Sequence, residues 1–235
     1  MAALLDATLQ TDPIMADHQI PERKLTLKVV YYGPALSGKT TNLMQLHTLL
    51  RPQRKGELMV LETRDDRTLF FDVLPIGLRN ESGIDLRLKL YTVPGQVQHD
   101  STRKAVLSRA DGVIFVADSQ PAQQDNNANA FENLADNLQK LGMDIETLPL
   151  VVQFNKRDIA DAVPEQELQA RWGDTPWAPL CMASALGGQG VVESFRLLLE
   201  RLYPILDGEY HLAAREGISA EDFVRRLSYA EDGHA

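Results

Sequence analysis

The chain has 235 residues, 44% hydrophobic and 24% charged, which is the composition of a single folded domain of about 150 to 250 residues. These values exclude disordered, collagen-like and disulfide-scaffold proteins. The net charge of −9 gives non-specific binding to nucleic acid or anionic lipid no electrostatic driving force. One cysteine, Cys181, cannot form an internal disulfide, which favours a reducing, cytoplasmic location.

Neither end of the chain has a recognisable targeting or anchoring signal. Residues 1–24 lack the basic stretch and long apolar run of a secretory signal peptide. The longest apolar runs fall far short of the roughly 20 residues that cross a bilayer. Ala2 stands where myristoylation needs glycine, and the last residues include no prenylation cysteine. We therefore expect no stable membrane anchor.

Strand-like and helix-like patterns alternate from Leu25 onward. Leu25–Tyr32 predicts a strand, and Thr40–Leu50 places three leucines on one face of a helix. Such alternation is typical of a mostly parallel sheet flanked by helices.

The next two predicted strands differ from this pattern. Leu69–Leu74 and Ile84–Thr92 are separated by a loop that contains Gly77, Asn80 and Gly83. This connection is too short for a helical crossover, so it favours an antiparallel hairpin. We therefore predict one antiparallel edge.

Two nearly continuous apolar runs, Gly112–Ala117 and Pro149–Phe154, predict buried, central parallel strands. The helix predicted between them ends at Gly142, which suits a left-handed C-terminal cap. Ala178–Met182 is the predicted last strand, and an apolar-striped helix follows and ends before Pro204. The sequence thus predicts an α/β fold with about six or seven strands and helices on both faces.

A glycine-rich segment follows the first predicted strand directly, Gly33-Pro34-Ala35-Leu36-Ser37-Gly38-Lys39-Thr40. Two glycines, a lysine and a threonine at this spacing, between a strand and a helix, indicate the phosphate-binding loop of a P-loop NTPase. Its backbone N–H groups and the helix dipole would face phosphate, Lys39 would reach the terminal phosphates, and Thr40 would ligate magnesium. The alternative is a glycine-rich turn without a ligand. The candidate nucleotide-binding residues here are Gly33, Ala35, Leu36, Ser37, Gly38, Lys39, Thr40 and Thr41.

A second polar segment, Phe154-Asn155-Lys156-Arg157-Asp158, follows a buried strand at the edge where ligands of such sheets bind. The Asp158 carboxylate can accept two hydrogen bonds from guanine N1–H and the N2 amine, and adenine offers no such donor pair. Asn155 would tie this segment to the phosphate loop, and the alkyl stem of Lys156 would cover the base. A simple polar turn is the alternative. Beside a phosphate loop, the pattern favours guanine over adenine nucleotides.

Ser184-Ala185-Leu186 follows the last predicted strand. In this order along the chain, Ser184 and Ala185 are placed to present backbone N–H groups to the guanine oxygen. An ordinary helix entry through Gly187 and Gly188 remains the alternative.

Four longer strings accompany these motifs: Tyr31-Tyr32-Gly33-Pro34, Arg67-Thr68-Leu69-Phe70-Phe71-Asp72, Tyr91-Thr92-Val93-Pro94-Gly95-Gln96 and Val116-Ala117-Asp118-Ser119-Gln120. With these motifs and strings, the chain resembles the Ras-like small GTPases over about Leu25–Leu206, and within them the MglA-like bacterial branch. The resemblance leaves residues 1–24 and 207–235 as extensions outside a GTPase domain of residues 25–206.

The resemblance implies a first switch over Glu62–Leu69 and a second over Pro94–Arg109. In the first, Thr68 would contact magnesium and the γ-phosphate; in the second, Gly95 would contact nucleotide. Gln96 would orient the attacking water, and Arg67 would neutralise transition-state charge from within the chain. Without the resemblance, the favoured interpretation of Arg67 is an ordinary surface charge exposed to solvent. The implied catalytic residues are therefore Gln96, Arg67 and Lys39, and the magnesium ligands Thr40 and Thr68.

The resemblance further implies a molecular switch that binds GTP and Mg²⁺, hydrolyses GTP to GDP and phosphate, and acts in bacterial cell polarity or gliding or twitching motility. The implied partners are motility or polarity effectors and a roadblock-fold, MglB-like GTPase-activating protein, with recruitment to a cell pole.

Two positions depart from the usual Ras-like pattern. Ala35 stands where glycine is usual, and its methyl group would crowd the γ-phosphate; Thr92 stands where an aspartate is usual, although it matches the MglA-like branch. We expect slow intrinsic hydrolysis, unless a small loop shift accommodates Ala35. The alternative function is a GTP-locked scaffold with little turnover, and an ATP-using P-loop enzyme is a more distant one.

A short amphipathic helix is predicted in the C-terminal extension. Ser219 is a good N-cap, and Ile218 can contact Phe223 across the first turn. Seven acids against three arginines after Leu206 disfavour an anionic membrane. Two readings stay open: the helix folds back on its own core, or it recruits a protein partner.

Overall fold

The computed structural model describes residues 23–50, 59–61, 71–79, 84–94 and 100–228. The predicted first switch lies outside these residues, as does part of the second. Four candidate site residues are among those outside: Arg67, Thr68, Gly95 and Gln96.

Seven strands form one sheet, and their hydrogen-bonding order places the first strand in the middle. The strands are β1 (Arg23–Tyr32), β2 (Met59–Leu61), β3 (Phe71–Arg79), β4 (Ile84–Thr92), β5 (Gly112–Asp118), β6 (Leu150–Asn155) and β7 (Cys181–Met182). Their order is β2-β3-β4-β1-β5-β6-β7. Pairing is antiparallel for β2 with β3 and for β3 with β4, and parallel for the other neighbours. The predicted mostly parallel α/β sheet with an antiparallel edge is confirmed.

Helices cover both faces of this sheet. They are α1 (Lys39–Leu49), α2 (Asp100–Leu107), α3 (Gln124–Lys140), α4 (Glu165–Trp172), α5 (Val191–Tyr210), α6 (Leu212–Glu216) and α7 (Ala220–Leu227). One core contains buried side chains of α1, α5, α6 and α7, and the other those of α2, α3 and α4. Among the described residues, no helix combines the length and the apolar character that crossing a bilayer requires.

Alternation along β1 explains why its sequence is nearly all apolar. Val29 and Tyr31 belong to the first core, and Val30 and Tyr32 to the second. Successive side chains of a strand point to opposite faces, so a strand between two helical layers must be apolar on both. The same reason accounts for β5 and β6, in which every residue is buried. β5 is central, as predicted, whereas β6 is the second strand from the edge.

Three predicted boundaries are wrong. Gly77, predicted to lie in the hairpin loop, pairs with Arg87, because the ladder to β4 extends β3 to Arg79. The last strand is only Cys181–Met182, and Pro179, which has no N–H to donate, precedes it.

The third concerns Pro204, which does not end α5 but lies inside it. Pro204 is exposed, while Tyr203 and Leu206 on the same helix are buried in the core. Burial of this apolar face therefore outweighs the backbone hydrogen bond that proline removes.

The C-terminal helices fold back on the core. Leu212, Ile218, Phe223 and Leu227 are at most 2% exposed and share one core cluster with α1 and α5. The Ser219 hydroxyl accepts the Asp222 N–H at 3.1 Å, which confirms the predicted N-cap. The proposed boundary between residues 206 and 207 falls inside α5, so one helix carries the chain from the core into the extension.

Candidate nucleotide-binding site

The predicted phosphate loop begins where β1 ends, at the carboxyl edge of the sheet, and two glycines let it approach neighbouring strands. Gly33 has φ 141°, and a Cβ there would lie 2.2 Å from the main-chain oxygen of Val116 on β5. Gly38 has φ 97°, and a Cβ there would lie 2.2 Å from Nδ2 of Asn155. Both positions therefore require glycine, for backbone conformation and for space.

Between these glycines the loop exposes two side chains and buries a third. Ala35 is exposed and Leu36 is 88% exposed, whereas Ser37 is fully buried. Leu36 has φ 61°, a left-handed conformation that costs a non-glycine residue roughly 1 kcal/mol or more. The surrounding contacts hold the loop in this strained shape.

Lys39 opens α1 and turns its side chain back into the loop. It is 7% exposed, and Nζ donates to the main-chain oxygens of Gly33 at 3.0 Å and Pro34 at 2.6 Å. Burial, and next the positive charge of Arg103, lower the pKa of the Lys39 ammonium to about 7. Arg103, on α2, is itself 2% exposed. A buried amine at the N-terminus of α1, with a buried guanidinium close enough to lower its pKa, favours an anion there.

Asn155 joins the loop after β6 to two other loops. Nδ2 donates to the main-chain oxygen of Ser37 at 2.8 Å, which confirms the predicted tie to the phosphate loop. Oδ1 accepts the N–H of Ala185 at 2.8 Å. The N–H groups of Ala185 and Ser184, both expected to be open to a guanine oxygen, have other acceptors: the first donates to Asn155 and the second to the main-chain oxygen of Gln189 at 3.0 Å. Asn155 is 2% exposed, so these bonds form away from water.

Asp158 and Ser184 lie together at the same edge. The Ser184 hydroxyl donates to Oδ1 of Asp158 at 2.6 Å, and this bond is the first cause that lowers the pKa of the exposed Asp158 carboxyl. Asp158 is therefore ionised at neutral pH and acts only as an acceptor. This matches the chemistry that guanine N1–H and N2 require.

Lys156 has an ion-pair partner that sequence reasoning missed. Its Nζ donates to Oδ2 of Asp118, the last residue of β5, at 2.6 Å. The available signal was an acidic residue ending an otherwise apolar strand, beside the strand that leads to Lys156.

The threonines of the candidate magnesium site differ in exposure. Thr40, in the first turn of α1, is exposed, and Thr41 is half-buried. Thr92 ends β4 opposite Tyr31 and is 2% exposed. Of the proposed ligands Thr40 and Thr68, only Thr40 is among the described residues, and its hydroxyl oxygen is of the hard-donor type that Mg²⁺ prefers.

Comparison with known proteins agrees with these motifs. The model of the ADP-ribosylation factor family matches residues 15–202. The chain is also similar to the mutual gliding-motility protein MglA of Myxococcus xanthus (strain DK1622), with 48% identity over 147 residues, which are 63% of this chain and 75% of that protein. The family match covers the phosphate loop and the strands that carry it. The chain therefore belongs to the ADP-ribosylation factor family and is an MglA-like small GTPase of the Ras-like superfamily.

Proposed function

We propose that this GTPase is a molecular switch that binds GTP with Mg²⁺ and alternates between GTP- and GDP-bound surfaces. Two features at the same edge of the sheet carry the proposal: a buried lysine inside the glycine loop after β1, and an exposed, ionised aspartate in the loop after β6. The first suits the phosphates of a nucleotide, and the second suits guanine.

Phosphate binding would rest on the loop from Gly33 to Thr41. Its backbone N–H groups and the ammonium of Lys39 would bind the phosphate oxygens, and the helix dipole of α1 would add to the field. Thr40 and Thr68 would hold Mg²⁺, which when bound supplies positive charge to the β- and γ-phosphate oxygens.

Guanine binding would rest on Asp158, with Asn155, Lys156, Ser184 and Ala185 around it. The Asp158 carboxylate would accept hydrogen bonds from the guanine N1–H and N2 amine. It would keep the hydrogen bond that its Oδ1 accepts from the Ser184 hydroxyl. Asn155 keeps this loop in register with the phosphate loop. ATP would be rejected because adenine offers no matching donor pair.

Hydrolysis would use three residues outside the described ranges. Gln96 would orient the water in line with the γ-phosphate, and Gly95 would contact that phosphate. Arg67 would neutralise developing charge; an arginine in this role accelerates the reaction by roughly 10³ to 10⁵. Ala35 would slow the intrinsic reaction because its methyl group would crowd the approach of Gln96 and Arg67 to the γ-phosphate.

Multiple-turnover phosphate release from GTP, with Mg²⁺, distinguishes the switch from the GTP-locked scaffold. We expect slow release that a roadblock-fold, MglB-like protein accelerates, and release that rises for Ala35→Gly in the presence of this co-activator. The matched control is Ala122→Gly, an exposed alanine in the turn before α3. Stoichiometric binding without turnover under all conditions would favour the scaffold.

The name of the M. xanthus relative points to gliding motility, and we propose that this chain serves bacterial polarity or gliding or twitching motility. It would act in the cytoplasm, recruited to a cell pole, through effectors that recognise one nucleotide state. Titration of GTP- and GDP-loaded protein against a roadblock-fold protein tests this, with tighter binding expected for the GTP form. Equal affinities would contradict a nucleotide-dependent surface.

A further inference from the structure

Asp118 and Lys156 end the neighbouring strands β5 and β6, and they form an ion pair across the sheet edge. Nζ of Lys156 donates to Oδ2 of Asp118 at 2.6 Å. The Asp118 side chain is 3% exposed and that of Lys156 is 29% exposed. The anion is thus shielded by protein, while the lysine side chain is partly exposed to solvent.

The position of Asp118 is fixed by a set of bonds that does not involve Lys156. Asn127 of α3 accepts the Asp118 N–H at 2.9 Å and donates to its main-chain oxygen at 2.8 Å. The Asp118 carboxylate also accepts the backbone N–H of Gln120 at 3.0 Å and its side-chain amide at 3.2 Å. The carboxylate therefore offers Lys156 a rigid anchor.

Lys156 needs such an anchor because its own backbone does not determine where the side chain lies. Lys156 lies in the loop directly after β6 and has a left-handed backbone conformation, with φ 67°. A free lysine side chain samples many rotamers, and ordering it costs about 1.5 to 2 kcal/mol. The bond to Asp118 directs the four-carbon stem from the end of β6 toward the end of β5.

We propose that Asp118 is a positioning residue for guanine nucleotide: it holds the Lys156 stem flat across the sheet edge, where the stem forms a wall against the base. This rests on the proposed function, in which Lys156 covers the base. Anchored before the base arrives, the stem pays no ordering cost on binding, so the pair lowers the rate of nucleotide release.

The test is a double-mutant cycle on GDP release, measured with a fluorescent GDP analogue in the full chain. Asp118→Asn removes the charge at constant shape, and Lys156→Met keeps the stem but removes the ammonium. We expect each variant to release GDP about tenfold faster, about 1.4 kcal/mol, and the double variant no faster than either single one.

An ion pair elsewhere in the sheet, with a buried carboxylate and an exposed arginine, provides the matched control. Asp85 accepts from Arg87 at 2.6 Å near the start of β4, and its side chain is 8% exposed. Asp85→Asn tests the general effect of losing such a pair, so it should lower the thermal unfolding temperature without changing GDP release. Asp118→Asn should accelerate GDP release. Asp85→Asn should not, even where both variants lower the unfolding temperature of nucleotide-free protein by the same amount.

The outcomes separate this inference from the proposed function. Additive effects of Asp118→Asn and Lys156→Met, or wild-type release from Asp118→Asn, would overturn the positioning role while leaving guanine binding intact. Equal acceleration by Asp85→Asn would also overturn it, because the effect would then be a general loss of stability. A wild-type protein that binds no guanine nucleotide would instead overturn the proposed function.

Discussion

The side-chain amide of Asn155 donates to the main-chain oxygen of Ser37 at 2.8 Å, across 118 residues of sequence. Its other polar atom accepts the N–H of Ala185 at 2.8 Å. One buried side chain therefore holds the phosphate loop, the loop after β6 and the loop after β7 in a single arrangement. The two halves of the proposed nucleotide site depend on it.

Replacement of Asn155 by alanine leaves two buried main-chain groups without partners. We expect the free energy of unfolding to fall by about 2 to 4 kcal/mol and GDP affinity to fall at least about tenfold. Urea unfolding and titration with fluorescent GDP measure the two effects. Asn126→Ala, which removes an exposed amide bonded to Gln123, is the control and should change neither. Unchanged GDP affinity in Asn155→Ala would contradict the role of the tie.

Asp158→Asn should change which base is bound while keeping the local fold. The new side-chain oxygen can still accept from Ser184, but its amide group now donates toward the base edge. We expect GTP affinity to fall about 100-fold and xanthosine triphosphate, which has an acceptor in place of the N2 amine, to gain. Competition among GTP, xanthosine triphosphate and ATP measures this. Asp161→Asn, another exposed aspartate, is the control; undiminished GTP binding in Asp158→Asn would instead favour an ATP-using enzyme.

The lowered pKa of Lys39 predicts a pH-dependent stability in nucleotide-free protein. Between about pH 7 and 10.5 the unfolded chain holds a proton on Lys39 that the folded chain does not, so the free energy of unfolding rises with pH. The slope from this group is at most about 1.4 kcal/mol per pH unit, and below pH 7 the cost of burying the charge is constant. Urea unfolding from pH 7.5 to 9 should show this slope in wild type and a smaller one in Lys39→Met. Equal slopes in wild type and Lys39→Met would show that Lys39 is not the source of the pH dependence.

The lowered pKa of Lys39 also predicts that nucleotide binding is coupled to proton uptake. Phosphate oxygens beside Lys39 favour its charged form and raise its pKa, so GDP binding at pH 8 should take up protons. Calorimetry in buffers of different ionisation enthalpy measures the number taken up. Uptake that vanishes at pH 5.5, where Lys39 is already charged, is the internal control; proton release at pH 8 would contradict the assignment.

Phe223 is the main anchor of the C-terminal helix α7. Its ring is fully buried and lies 5.6 Å, centroid to centroid, from that of Tyr203 on α5. Phe223→Ala should lower the free energy of unfolding by about 3 to 5 kcal/mol, as large-to-small core substitutions do. Glu221→Ala, exposed on the same helix, is the control. Wild-type stability in Phe223→Ala would mean that the helix contributes little to the fold and would revive the partner-recruitment alternative.

The elements that could be predicted from the sequence are those whose signal is local. The phosphate loop combines a spacing of glycines with a strand before it and a helix after it, and the Ser219 cap bonds a residue only three positions away. The boundaries that were wrong depend on distant partners. Gly77 is held in β3 by β4, and Pro204 stays helical because Leu206 packs into the core.

By itself, the sequence determined the class of fold, the position of the phosphate loop and the candidate aspartate for guanine binding, because periodicity and motif spacing are properties of neighbouring residues. Only the tertiary structure decided that Asp118 anchors Lys156, 38 residues away, and that Asn155 takes the Ala185 N–H. It also decided that the acidic C-terminal extension packs through Phe223 and Leu227 on the GTPase core. Hydrogen bonds and apolar contacts of this kind form wherever the folded chain brings partners together, and no local pattern specifies the pairs.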